Sequence, residues 1–312
     1  MANDERPIAD YAPIPHPVSL SPRLEVGAFQ PLSYLMPLSE PSFREFMPPN
    51  LRHSFIALVM LVLLLPFLPL LIWSFAQGWF SPQLVPQTWT LEHWQQLLMG
   101  SSRVLEGVMQ SLAIALLTTA LSLLVGLPAG RALGLMDFPG KPLLKLLLLT
   151  PIIVSPLATL MGIQFVLIRL GLSGTLAGVV LVHLMPTIPY MSLVLASVFS
   201  NFDVGYEIQA RSLGASPLKV FSQITLPLIA PGIAVGSLFA FLISWNEFLL
   251  TFFVGAGRVF TLPMVLFTLL QGGNNGLIAA VAITSVVPGL IFLLVTSKAL
   301  QNEATLGGLG GV

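Results

Sequence analysis

The chain has 312 residues, 55% of them apolar and only 8% charged, with no net charge and a mean hydropathy of +0.89. Soluble domains carry about a quarter charged residues, so water is not the main solvent here, and zero net charge removes the electrostatic case for binding nucleic acid. The absence of cysteine excludes disulfides, a thiol nucleophile and a thiolate metal site.

Residues 1–52 hold ten prolines and scattered charges without a periodic apolar face. Such a segment is expected to be a disordered or polyproline-like cytoplasmic tail. It lacks the short apolar core and small-residue cleavage site of a secretory signal. Beyond it, 53–304 read as one transmembrane domain and 305–312 as a flexible C-terminal tail.

Six stretches are long enough to cross a bilayer as helices, which takes roughly 20 apolar residues each: 55–75, 107–130, 146–168, 176–199, 228–255 and 277–297. Lipid cannot satisfy exposed backbone groups, so these runs must be helical. The predicted fold is an all-α polytopic membrane protein with six transmembrane helices. One span carries an acidic residue, Glu247. A seventh apolar run, 259–270, is too short and reads as interfacial or re-entrant. With the N-terminus inside, ten of the 13 Lys and Arg fall in inner segments, against Arg103, Arg169 and Arg258 outside. The positive-inside rule then places both termini in the cytoplasm.

The connections carry local signals. In the outer loop after the first span, Thr90 reads as a helix cap with Glu92 and His93 in the first turn, and Trp79, Trp89 and Trp94 suit a membrane interface. A tight outer turn is expected around Gly171 and Gly174. The pairs Gly126/Gly130 and Gly232/Gly236 are small-xxx-small patterns that let helices approach closely. Prolines inside or beside every span fit a bundle whose neighbours re-satisfy freed carbonyls.

Catalytic patterns are missing. There is no HExxH, no GxSxG and no ligand spacing among His16, His53, His93 and His183. The stretch from Gly134 to Lys141 has the wrong spacing for a phosphate loop, and Pro142 stands where Ser or Thr would hold magnesium. His183, inside the fourth span, is expected to hydrogen-bond a neighbouring helix, with a place on a translocation path as its alternative.

The most informative segment is the inner loop 200–227. A short helix over 206–213 is expected to stop at Gly214, used as a left-handed cap. A second turn begins at Pro217 after Ser216, and Pro227 opens the fifth span. A short surface helix joined rigidly to a membrane helix has the form of a lever.

This loop resembles the cytoplasmic motif of binding-protein-dependent permeases: Glu-Ala-Ala, three residues, Gly, nine residues, then Ile-x-Leu-Pro. Gly214 is followed after nine residues by Ile224-Thr225-Leu226-Pro227. The triplet departs from the motif, with Ile208, Gln209 and Ala210 in its place and Glu207 one position earlier. The resemblance spans about 105–300 and implies a MetI-like permease of a type I ATP-binding-cassette (ABC) importer in the bacterial inner membrane. It implies that Glu207, Ala210, Arg211, Leu213, Gly214, Ala215, Leu226 and Pro227 couple the chain to a separate ATPase subunit dimer, which binds ATP and Mg2+. A second permease subunit, identical or homologous, and a periplasmic solute-binding protein are the other implied partners. This chain itself would be no enzyme and would bind no cofactor.

For substrate, Trp245, Asn246 and Glu247, followed by Phe260-Thr261-Leu262-Pro263, resemble the spermidine/putrescine-type branch, as does the segment from His183 to Tyr190. Trp-Asn-Glu-Phe also occurs in sugar permeases. The expected path residues are Trp245, Asn246, Glu247, His183 and Gln164, with a polyamine or other small amine-bearing cation as solute. A sugar or phosphonate importer is the alternative, and an ion-coupled secondary transporter is the alternative of another class.

Overall fold

The computed structural model describes residues 49–79, 83, 85–100, 102–154 and 156–307. The expected proline-rich tail therefore lies, up to residue 48, outside the described residues, as do 308–312. The chain divides into two units, Met1–Val62 and Leu63–Val312. Most of helix α1 (Pro49–Leu64) belongs to the first, and its side chains from Phe55 to Val62 all stand exposed. Water would penalise that surface at about 25 cal/mol per Å2, whereas lipid does not.

The second unit starts with the last residues of α1, and its first whole helix is α2 (Phe67–Phe75), set off from α1 by Leu65 and Pro66. Strands β1 (Ala76–Gln77) and β2 (Thr88–Trp89) pair antiparallel, Ala76 opposite Trp89. The short helix α3 (Glu92–Gln95) begins where expected, its Glu92 N–H donating to Thr90 Oγ1 at 3.0 Å. A π-helical turn, Gln96–Gly100, leads into α4 (Ser102–Leu135). Then follow α5 (Lys141–Ile153), α6 (Pro156–Arg169), α7 (Leu176–Ser200), α8 (Gly205–Ser212) and α9 (Pro217–Val220). After a second π-helical turn, Phe221–Thr225, come α10 (Leu226–Trp245), α11 (Leu249–Gly255), α12 (Leu262–Gly272) and α13 (Asn275–Gly307).

Among the described residues four helical stretches are long and apolar enough to cross a membrane: Arg103–Leu135, Leu176–Ser200, Pro217–Trp245 and Asn275–Ser297. A fifth is reached only if the bent pair α1 and α2 is counted as one span. The stretch 146–168, expected as one span, is instead divided between α5 and α6, with Val154 extended (ψ 136°) before Pro156 opens the next helix. The stretch 228–255 is divided too. Its helix runs on from Pro217 but ends at Trp245, and α11 resumes at Leu249. The short run near 259–270 is α12, only 11 residues long.

The bundle centres on α4 and α7. Gly126, Gly130 and Gly134 recur every fourth residue on α4, and a Cβ at each would lie 2.5 Å from Met191, Leu195 and Phe199 of α7 respectively. The missing methyl groups are what let the two backbones come this close. Gly232 and Gly236 of α10 meet Val198 and Met191 of the same helix α7, so both expected glycine pairs are packing surfaces. Around this contact lie the buried Met191, Leu195, Phe199, Ile229 and Ala240. A second buried group joins Phe241 and Trp245 to Leu262, Val265 and Ala280, and a third joins Ile114, Leu160, Val180 and Val254. The expected turn between α6 and α7 is present, with Gly171 (φ +69°) and Gly174 (φ +75°) left-handed.

Candidate coupling and translocation sites

The loop 200–227 folds into the expected short helix and cap. Asp203 Oδ1 accepts the Gly205 N–H at 2.8 Å and opens α8. At the far end Gly214 is left-handed (φ +86°), its N–H donates to Arg211 O at 2.9 Å, and the Ala215 N–H donates to Ala210 O at 3.1 Å. That pair of bonds is a Schellman cap, which needs a residue free of a Cβ penalty at the turn. Ala210 and Ala215 thus act through their backbones. Ser216 is extended ahead of Pro217, although its hydroxyl makes no capping bond.

The faces of α8 differ. Tyr206, Ile208 and Arg211 are exposed, and Leu213 just beyond the helix is 90% exposed. Leu226 and Pro227 are also exposed, at the start of α10. Glu207 is turned inward: its side chain is 5% exposed and takes both arms of the Arg131 guanidinium, at 2.9 and 2.7 Å. The Thr225 hydroxyl donates to Glu207 Oε1 at 2.6 Å, and Arg211 stands 4.0 Å away. Held first of all by the Arg131 hydrogen bonds, the Glu207 carboxyl sits below the usual carboxylate range. Neither Arg131 nor Thr225 is marked by the motif. A lone arginine at the end of a span was the only available signal, and a single sequence does not reveal its partner.

The second site is the gap between α10 and α11. Helix α10 ends at Trp245, and Asn246, Glu247 and Phe248 cross to α11. His183 of α7, fully buried, bridges the gap, with Nδ1 2.9 Å from Ser244 Oγ and Nε2 2.9 Å from Thr251 Oγ1. The expected helix-to-helix hydrogen bonding of His183 is therefore present. Glu247 is half-buried, and its Oε1 accepts the Leu250 N–H at 3.2 Å. Together with Pro151, Thr159, Met185, Pro186 and Leu250 it lines a cavity of about 50 Å3.

Other expected path residues lie apart from this cavity. Trp245 is 2% exposed, stacks on Phe241 and donates its indole N–H to Ser285 O at 2.8 Å; with Asn246 it lines a separate cavity of about 290 Å3. Asn246 is exposed and donates to Leu242 O at 2.9 Å. Gln164, on α6, donates to Ser173 Oγ at 3.2 Å.

Apolar helices packed about α4 and α7, one of their neighbours interrupted and a capped surface helix carried between two of them, form an architecture suited to a membrane. The chain belongs to the family of binding-protein-dependent transport system inner membrane components, whose signature matches residues 122–302. It is 27% identical over 237 residues to the trehalose transport system permease protein SugB of Mycobacterium tuberculosis, covering 73% of this chain and 85% of that protein. It is 26% identical over 266 residues to the spermidine/putrescine transport system permease protein PotC of Escherichia coli, covering 84% and 98%. To the osmoprotective compounds uptake permease protein GgtD of Synechocystis it is 30% identical over 219 residues, covering 69% and 72%. Among solved structures, a bacterial ABC transporter that imports the acidic polysaccharide alginate superposes with a TM-score of 0.62 at 16% identity, over 84% of this chain and 99% of that one. The chain is thus a multi-pass permease subunit of a bacterial inner-membrane ABC importer, a transport component and not an enzyme.

Proposed function

We propose that this permease carries a small amine-bearing cation, such as a polyamine, delivered by a periplasmic binding protein. The observation that carries this reading is Glu247. It is a half-buried carboxylate in a helix break, it lines a cavity, and it forms no salt bridge among the described residues. Ionisable groups at membrane depth are costly and mark pathways, and a cationic solute would supply the missing countercharge. Similarity along nearly the whole of PotC supports the same class.

In this reading the exposed face of α8, with Arg211 and Leu213, seats on a separate ATPase subunit pair that binds ATP and Mg2+, and a second permease completes the path. Both termini lie in the cytoplasm, so a reporter active only outside it stays silent when fused after Val312. A sugar is the second reading, supported by the similarity to SugB. The experiment is ATP turnover by the reconstituted complex with its binding protein and either spermidine or trehalose. Stimulation by spermidine alone is expected, and stimulation by trehalose alone overturns the cation assignment.

A further inference from the structure

Glu207 joins three elements that are far apart in sequence. Its carboxylate holds Arg131 near the end of α4 with two bonds, Thr225 in the π-helical turn before α10 with a third, and Arg211 of its own helix at 4.0 Å. Arg131 also lies over the ring of Phe199 on α7, 5.8 Å from its centroid. The π turn puts Thr225, fully buried, onto this carboxylate. Such turns occur mostly as single-turn bulges inside α-helices, frequently at functional sites.

The links on either side of α8 are short: Asn201 to Val204 is irregular, with Phe202 packed edge-on against Phe199, and beyond the turn at Gly214 the residues from Ser216 to Lys219 are exposed. Backbone contacts alone give α8 few ties to the bundle. The bidentate pair is geometrically specific in a way that a point charge is not.

We propose that Glu207 is a positioning residue, and that the Arg131–Glu207–Thr225 latch makes α8, the end of α4 and the start of α10 one rigid body. Displacement of α8 is then delivered to two membrane helices together instead of being absorbed in the links. This inference rests on the permease reading of the chain but not on its substrate. Glu207 acts through α8 from inside, opposite the exposed face that would meet an ATPase.

The lack of cysteine permits a direct test in the full complex with its ATPase subunit. Met136→Cys, just past α4, and Ser212→Cys, on α8, are spin-labelled and their distance distribution is measured with and without a non-hydrolysable ATP analogue. In the otherwise native chain one narrow distance, the same in both conditions, is expected. Glu207→Gln should at least double its width or make it depend on nucleotide. Should Glu207→Gln fail to assemble, Thr225→Val and Arg131→Lys serve in its place and should broaden it to a lesser degree. The exchanged pair Arg131→Glu with Glu207→Arg should narrow it again, a rescue that a purely space-filling role would not give. The proposal is overturned if the native distance itself changes with nucleotide, if the exchanged pair stays as broad as the single variants, or if the variants that assemble all keep the native width.

Discussion

His183 Nε2 and Thr251 Oγ1 lie 2.9 Å apart, and this bond closes a bridge over the gap between α10 and α11. Thr251 Oγ1 also donates to Glu247 O at 3.2 Å. Its one hydrogen is then used, so Thr251 accepts from His183 Nε2–H, while Nδ1 lies 2.9 Å from Ser244 Oγ. Both imidazole nitrogens are satisfied. The last turn of α10 and the first of α11 are thereby pinned to α7, although no backbone helix bond spans the gap between them.

His183→Leu should therefore loosen the gap without changing the bundle. Interhelical bonds in membrane proteins are worth about 0.6–1.7 kcal/mol each, so the loss of two costs roughly 1–3 kcal/mol. Thermal unfolding of the detergent-solubilised complex measures it. A stability equal to that of the native chain would show that the bridge contributes nothing.

Gly130 tests the helix crossing. An added Cβ there sits 2.5 Å from Leu195 Cβ and 3.1 Å from the backbone nitrogen of Ala196, which cannot swing aside. Gly130→Ala should cost about 1–3 kcal/mol by overpacking and lower the yield of folded protein. Gly162, on α6, has nothing within 4 Å of the same added atom. Gly162→Ala is the control and should leave the yield unchanged.

The contrast between these glycines shows what a sequence reveals and what it leaves out. The repeat at Gly126 and Gly130 is visible because helix period and residue size are both local properties. The same holds for the cap at Gly214 and the helix start at Pro217. The breaks at Val154 and at Asn246–Phe248 are not legible, because hydropathy averages over them, and the bonds that bridge the second come from His183 on a distant helix. Nor is the pairing of Arg131 with Glu207, 76 positions apart, where only the fold decides which polar groups meet. Trp245 reads as a path residue and is buried, its N–H bonded to a carbonyl on α13.

Gly214 is left-handed with nothing within 4 Å of an added Cβ, so a substitution there costs backbone strain alone. Gly214→Val should cost about 1–2 kcal/mol and turn the chain wrongly after α8. Uptake and stimulated ATP hydrolysis should fall together while the protein still inserts. Gly214→Asn, which tolerates the left-handed region, should retain most of both. Equal activity of the valine variant would remove the lever's geometric requirement.

Glu207 gives the chain a predictable acid limb. Its carboxyl is held below the usual range, so its contribution to stability is fully present above the unfolded-state value of about 4.3. That contribution is lost as pH falls through the lower folded value. The charged groups that face it are Arg131 and Arg211. At neutral pH Glu207→Gln should cost on the order of 1–2 kcal/mol, less than for a fully buried pair because the Arg131 side chain is 33% exposed. The difference in melting temperature between native and variant protein should shrink steadily as pH falls below about 4.3. A difference independent of pH would show that the carboxylate's charge is not what matters.

Glu247 separates a structural role from a transport role. Pairing with Arg169 or Arg258 is not what holds it, because among the described residues Arg169 lies over the Phe165 ring at 4.5 Å and neither arginine forms a salt bridge with it. What remains structurally is its bond to the Leu250 N–H, which helps open α11. Glutamine keeps an oxygen in the same place, so Glu247→Gln should preserve that bond and change stability by less than about 0.5 kcal/mol. Alanine removes it and should cost about 1 kcal/mol, the ordinary worth of a helix cap. Transport should follow a different order. If the solute is cationic, both variants lose the countercharge, and spermidine uptake into proteoliposomes should fall at least tenfold in each, the stable glutamine variant included. If Glu247 only caps α11, uptake should track stability, near native for glutamine and reduced for alanine. Spermidine uptake by Glu247→Gln at the native rate over a range of concentrations would leave the carboxylate as a cap and remove the cation reading's main support.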